Sequence, residues 1–305
     1  MGDVPDGVLA EIPSFLPLLL AVMFTGSIAC LKIDATSAMC SSPEMQKKLY
    51  NMMSSALTLV GFPHSPALYS LMAFVLVKSM LIREEESLSS CSFVAVALRI
   101  SQAMGLHKDG TNFGLDDVQI EERRRIWCHL MHLDVMTSIV SGLPLVASSE
   151  MFSNTRMIGE LRDEYIGKVE VTENISGGSI TDPNYVLTVG RYDASSCIRS
   201  VLLQQFSPSP IRLAWVKSTA ANIEQLRIRM EERIRRLNLQ HCEEPTNPSN
   251  PSPSASSGDC GAEPKTGALE CWAEDLLRLM VEKAYCILYQ PAMRELSLWA
   301  ELRAE

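Results

Sequence analysis

Apolar residues recur along this chain at three- and four-residue spacing, and glycine and proline cut the recurrence into segments of about one helix each. The pattern is clearest over Phe93–Val146, FVAVALRISQAMGLHKDGTNFGLDDVQIEERRRIWCHLMHLDVMTSIVSGLPLV. A helix over Ser87–Met104 has Phe93, Val96, Ala97, Ile100, Ala103 and Met104 as its apolar stripe, and Gly105 is placed as the left-handed cap that ends it. The turn from Gly105 to Gly114 supplies Gly, Asp, Asn and Thr, whose side chains satisfy loop backbone groups, and His107 is expected to bond that backbone too. Asp116 and Asp117 open the next helix with acids where the helix dipole favours them, and Gly142-Leu143-Pro144 stops it. Along it Ile120, Trp127, Leu130, Met131, Asp134 and Val135 share a face that Ile126, Leu133 and Val140 widen, so Trp127 and Asp134, two turns apart, are expected to be buried together. A carboxylate there needs a set of backbone donors or one of Arg123, Arg124 and Arg125.

The same periodicity places helices over Leu18–Ile33, Glu44–Val60, Leu68–Ile82, Leu187–Phe206, Ile211–Leu239 and Ala268–Gln290. Leu49, Met52, Met53, Ala56, Leu57 and Val60 make the stripe of the second, Leu68–Ile82 is apolar nearly all round, and Ile223, Leu226, Met230, Ile234 and Leu237 line the Ile211 helix. In the last helix Leu269, Trp272, Leu276, Leu279, Met280, Ile287 and Leu288 are in register, and Pro291 kinks or ends it. Ala147–Pro183 reads as loop with at most a short turn near Met157–Tyr165, and Pro208-Ser209-Pro210 as a break. His241–Gly267 is rich in Pro, Ser and Asn and almost devoid of apolar residues, so it is expected to be a disordered loop. The expected fold is therefore all-α, an array of antiparallel helices with one long disordered loop, residues 8–305 forming one domain that includes loop 241–267 and whose last helix packs back onto the first part.

Composition narrows the function. Of 305 residues 47% are apolar and 21% charged, enough to bury a core. The net charge of -9 argues against affinity of the whole chain for nucleic acid, which Lys and Arg supply. The most basic stretch, RIRMEERIRRLN, is interleaved with Glu231 and Glu232 and reads as a solvated helix face with i,i+4 pairs. Nine scattered cysteines with no C-x-x-C fit a reduced compartment. The uncharged run Ile12–Leu31 follows acidic residues, is interrupted by Pro13 and Pro17, and reads as a core helix rather than a signal or a membrane span. Cys128-His129-x-x-His132 brings three metal-ligating side chains within about a turn, but without a second cluster or the H-E-x-x-H carboxylate it reads as packing. Hydrolase, P-loop, dinucleotide and kinase motifs are missing, and no catalytic, metal-binding or cofactor-binding residue is expected.

The blocks LLLAVMFTGSIAC, ALRISQAMGLHKDG, RRRIWCHLMHLDV with its SGLPL exit, and AYCILYQPAMR resemble the middle homology (regulatory) domain of the fungal zinc-cluster transcription factors. Gly105, Leu106, His107, Asp109, Gly110, Arg124, Arg125, Trp127, Asp134, Gly142 and Pro144 stand in order at the family's spacing as structural signature residues. The resemblance implies a nuclear, non-enzymatic regulator of transcription controlling a gene set such as a metabolic or biosynthetic cluster. Its partners would be a second copy or a zinc-cluster factor, with DNA engaged only indirectly, no membrane, and a small-molecule effector. The family's N-terminal six-cysteine zinc cluster has no counterpart in this sequence, so zinc and base-reading residues are not carried over, and no cofactor is expected in the chain itself. The alternative is a helical partner or small-molecule sensor acting through a full-length zinc-cluster factor.

Overall fold

The computed structural model describes residues 12–33, 42–81, 87–147, 154–160, 163–167, 183–240 and 268–294. Among these, eight α-helices form: α1 (Phe15–Ile33), α2 (Pro43–Leu59), α3 (Leu68–Met80), α4 (Ser87–Ala103), α5 (Asp117–Ser141), α6 (Pro183–Gln205), α7 (Leu213–Gln240) and α8 (Ala268–Arg294). Short 3-10 turns lie at Gly110–Phe113 and Asp163–Tyr165, and no strand occurs among the described residues. The fold is all-α, as the periodicity requires. The expected disordered loop 241–267 and the segment after Arg294 lie outside the described residues.

The chain divides into two compact units, one of Met1–Gly114 with Glu122–Arg156, the other of Leu115–Glu121 with Met157–Glu305.

In the first unit α1 packs on α2 and α3, and α3 on α4. Ser42 caps α2, its hydroxyl accepting from the Met45 amide, with Pro43 in the first turn where its missing N–H costs nothing. Leu20, Ala21 and Phe24 of α1 meet Leu49, Met53, Ala56 and Leu57 of α2 and Ala73 and Val77 of α3 in one apolar cluster. A second gathers Leu71, Val75, Phe93, Val94, Leu98, Leu106, Trp127 and Leu130. α3 is buried or half-buried along its length until Met80, which matches its all-round apolar sequence. No helix among the described residues is long and apolar enough to cross a membrane.

Three stripes in this unit depart from expectation at their margins. Met52 of α2 is 45% exposed, and Val96 of α4 and Val140 of α5 are 48% and 53% exposed. On α4 the buried line is Ser90, Phe93, Val94, Ala97, Leu98 and Ser101, which turns the helix away from Val96 and Ala103. Apolar residues cover more than half of that helix, so spacing alone does not choose the inner side. Burying Ser101 is inexpensive because its hydroxyl donates to the Ala97 carbonyl at 2.7 Å.

In the second unit α6, α7 and α8 pack on one another. Ile223, Leu226, Met230, Ile234 and Leu237, the expected stripe of α7, are all buried. α8, expected to pack back onto the chain that precedes loop 241–267, packs on α6 and α7. Its inner line is Ala273, Leu277, Val281, Ala284 and Leu288, while Trp272 and Leu279, expected in the stripe, are outside. The choice is steric. Gly190 of α6 leaves room for Leu277, whose Cδ2 would lie 2.3 Å from a Cβ built there, so the helices meet where α6 has no side chain. Pro291 sits inside α8, which runs on to Arg294.

Candidate functional site

The signature residues gather at two places on α5. At the first, α4 ends in a Schellman motif: the Leu106 amide donates to the Ser101 carbonyl at 2.9 Å and the Gly105 amide to Gln102 at 3.0 Å, with Gly105 at φ 73°. Leu106 is thereby turned into the core, and the chain proceeds to Asp109. The Asp109 carboxylate is 4% exposed and fully engaged. Arg124 donates to it twice, from Nε at 2.8 Å and Nη2 at 2.7 Å; the Thr111 amide and hydroxyl and the Arg156 amide complete its shell. These five donors, three on Oδ1 and two on Oδ2, more than fill the roughly four lone-pair sites of a carboxylate. Arg124 holds the carboxyl well below the usual carboxylate range, against the opposing effect of burial, and the backbone donors help. A group so fixed has no proton to exchange near neutral pH.

Arg123 donates to the Met104 carbonyl at 3.1 Å and lies 5.7 Å over the Phe113 ring, closing the end of α4 from the other side. His107, expected to bond the loop backbone, instead sets its ring 6.3 Å from that of Trp127, and its Nδ1 has no hydrogen-bond partner. Gly110 is buried, and Arg125 is half-buried on the helix beyond.

The second place is the end of α5. Asp134, 1% exposed, accepts from the amides of Val146 at 2.9 Å and Ala147 at 3.1 Å. Of the two ways of satisfying it that the sequence left open, backbone donors are present, while Arg124 goes to Asp109. The helix ends at Gly142, φ 70°; Ser138 donates to the Leu143 carbonyl, and the exposed Pro144 leads to the two amides that Asp134 holds. Trp127, 1% exposed, lies between the two places in the apolar cluster.

Sequence reasoning missed the third segment of the first fastening, residues 154–156. Asn154 accepts from the Asp109 amide at 3.2 Å and Arg156 donates back, yet nothing in the loop after Val146 marks either residue, because both act through their backbones. The Cys128-His129-x-x-His132 group is spread over other contacts: Cys128 Sγ approaches the Arg156 carbonyl, and His129 Nε2 lies 3.4 Å from Ser79 Oγ. No set of three or more His, Cys, Asp or Glu able to hold a metal occurs among the described residues.

These residues thus form two clasps on one helix, and neither aligns a nucleophile with a base. The family described as the fungal specific transcription factor domain matches residues 10–157. Residues 10–157 are a fungal specific transcription factor domain. Both clasps fall inside it, and it coincides closely with the first compact unit. The chain is 32% identical over 171 residues to Transcription factor yanR of Aspergillus niger, covering 54% of this chain and 21% of that protein. Transcription factor macR of Penicillium terrestre is 31% identical over 190 residues, 61% of this chain and 21% of that protein. A shorter match, 44% over 48 residues, 16% of this chain and 6% of the relative, is to Pyriculol/pyriculariol biosynthesis cluster transcription factor 1 of Pyricularia oryzae. The chain thus spans about a fifth of the length of the first two relatives. No solved structure matches.

Outside this domain, arginines of the basic stretch of α7 pair mostly with other elements, and along the helix Arg227 pairs with Glu224 at 3.3 Å. Arg229 and Arg233 pair with Asp193 of α6 at 2.9 Å, Arg233 also with Glu160 at 3.0 Å, and Arg236 with Glu160. The expected i,i+4 pairing of this stretch gives way to ties between elements. Within the domain, a groove of about 580 Å³ opens between α1 and α2, lined by Leu16, Leu20, Met52 and Ala56 together with Glu44, Lys47 and Lys48.

Proposed function

We propose that the chain is the regulatory part of a nuclear fungal-type transcription regulator, that it controls a metabolic or biosynthetic gene set, and that it reaches DNA through a zinc-cluster factor rather than by its own surface. The observation that carries the reading is the fungal specific transcription factor domain over residues 10–157, with its signature residues engaged in two structural clasps. Relatives named as transcription factors, one of them of a biosynthesis cluster, support the choice of gene set. The net charge of -9, together with the pairing of the α7 arginines to carboxylates, supports indirect contact with DNA. No catalytic role is assigned, since the signature polar groups are fixed by buried pairs and backbone bonds. Nuclear purification tests this: the chain is expected to co-purify with a zinc-cluster protein and to be found at its target promoters. Turnover of a substrate, or exclusion from the nucleus, would contradict it.

A second reading, a small-molecule sensor acting through the same factor, is favoured by the α1–α2 groove, whose apolar lining beside Glu44, Lys47 and Lys48 suits an apolar molecule with a polar group. Such a ligand would raise the melting temperature of the chain, and Met52→Glu would abolish the rise.

A further inference from the structure

The turn between α6 and α7 carries a short polar sequence that takes no part in the clasps or in the α7 ion pairs. Residues 206–212 read Phe-Ser-Pro-Ser-Pro-Ile-Arg, lie outside both helices, and expose Phe206, Pro208, Ser209, Pro210 and Arg212. Two prolines, each without an amide hydrogen, keep this stretch from continuing either helix. A serine on exposed, non-helical chain is one that the cleft of another protein can take in, because no helix has to unwind first.

The residues around Ser209 narrow what that protein is. The chain has five Ser-Pro steps, at Ser42, Ser65, Ser207, Ser209 and Ser252, and only Ser209-Pro210-Ile211-Arg212 has a basic residue three places after the serine. That is the pattern the cyclin-dependent class of serine kinases accepts. Proline after the acceptor leaves no amide hydrogen to be buried unpaired in the cleft, and the arginine meets a negatively charged group on the kinase. The structure favours the same serine. Ser42 is taken up as the cap of α2, its hydroxyl accepting from the Met45 amide at 3.2 Å. The Ser207 hydroxyl accepts from the Ser209 amide at 3.2 Å, and Ser207 is half-buried just beyond the carbonyl end of α6, where added negative charge is disfavoured. Ser209 is exposed and lies shortly before α7, whose first turn has no acid, with Arg212 between them. A phosphate of about two negative charges on Ser209 is thus added near an arginine and the positive end of a helix.

We propose that Ser209 is a phosphorylation site for a proline-directed serine kinase of the cyclin-dependent class. In the transfer, Ser209 Oγ attacks the γ-phosphorus of ATP held by the kinase; the Oγ–P bond forms as the β–γ phosphoanhydride bond breaks, ADP leaves, and the hydroxyl proton passes to the base of the kinase. The inference concerns this turn alone, and it stands or falls apart from the transcription reading.

Incubation of the full chain with a purified cyclin-dependent kinase and Mg-ATP tests it, read by mass spectrometry of the tryptic peptide Ser200–Arg212. One phosphate is expected, localised to Ser209 by fragmentation. Ser209→Ala, at an exposed position, is expected to remove it with an unchanged circular dichroism spectrum, and Pro210→Ala and Arg212→Ala each to lower kcat/KM for the transfer at least about tenfold. The same peptide recovered from growing cells that make the protein is expected to carry the phosphate. A chain left unmodified, a phosphate placed on Ser207 or Ser42 in preference to Ser209, an Arg212→Ala chain modified as fast as the parent, or a cellular peptide without phosphate would each overturn the proposal.

Discussion

Asp109 and Asp134 are buried carboxylates held in different ways, and the difference sets what their loss should do. Asp109 is tied by an arginine, so its folded carboxyl sits below the ordinary value of about 3.9. Below that value the unfolded chain takes up a proton before the folded one does, so the stabilisation is complete at neutral pH and is lost as pH falls from about 4 toward the folded value. Asp109→Asn is therefore expected to lower the urea midpoint at pH 7 and to lose less than the parent between pH 5 and pH 3; an unchanged midpoint, or an equally steep acid limb, would contradict the pairing. Asp134 accepts from two backbone amides, and Asp134→Ala leaves the buried Ala147 amide and the part-buried Val146 amide without that acceptor, for a loss of about 3 kcal/mol. Trp127→Ala removes the largest side chain of its cluster and should cost about 3–5 kcal/mol. Denaturant melts check both, and the expected companion is lower cellular abundance rather than loss of a catalytic step. If either variant melts like the parent, this helix face is not core.

At the scale of elements, the sequence specified helix positions well and helix orientation less well. Ends marked by chemistry were readable: Gly105 and Gly142 both adopt positive φ where they close α4 and α5, and Pro208-Ser209-Pro210 separates α6 from α7. The α7 stripe was readable because its polar side is strongly charged, leaving one face to bury. On α4 and α8 apolar residues cover too much of the surface for periodicity to decide, and for α8 Gly190 of α6 decides instead. Of the two clasps, the residues on α5 were visible as a spaced pattern, whereas Asn154, Arg156, Val146 and Ala147 contribute backbone atoms that no side-chain pattern records. Gly190 is the test of this account of α8. Gly190→Ala drives a Cβ against the buried Leu277 and should destabilise the second unit by about 1–3 kcal/mol, despite the helix preference for alanine. Adding Leu277→Ala opens the space that the new methyl fills, so the double variant should be more stable than the sum of the single losses. Strict additivity by thermal melts would mean that the two helices do not meet there.

At the scale of the whole molecule, charge bears on the proposed division between regulation and DNA reading. A chain of net charge -9 whose α7 arginines are tied to Asp193 and Glu160 has little to offer phosphates, and a gel shift with this chain alone is expected to give no sequence-specific complex at about 0.15 M salt. A specific complex would redirect attention to Arg229, Arg233 and Arg236 and away from a zinc-cluster partner. The fungal specific transcription factor domain over residues 10–157 leads to a stronger demand, that the chain acts on transcript levels. Transcript profiling after deletion of the gene, with the parent or the Asp134→Ala variant restored, tests it most directly. A confined, co-regulated set of transcripts should change on deletion and recover with the parent, but not with the variant, whose abundance should be low. An unchanged profile in cells where the parent protein is otherwise abundant would contradict the account.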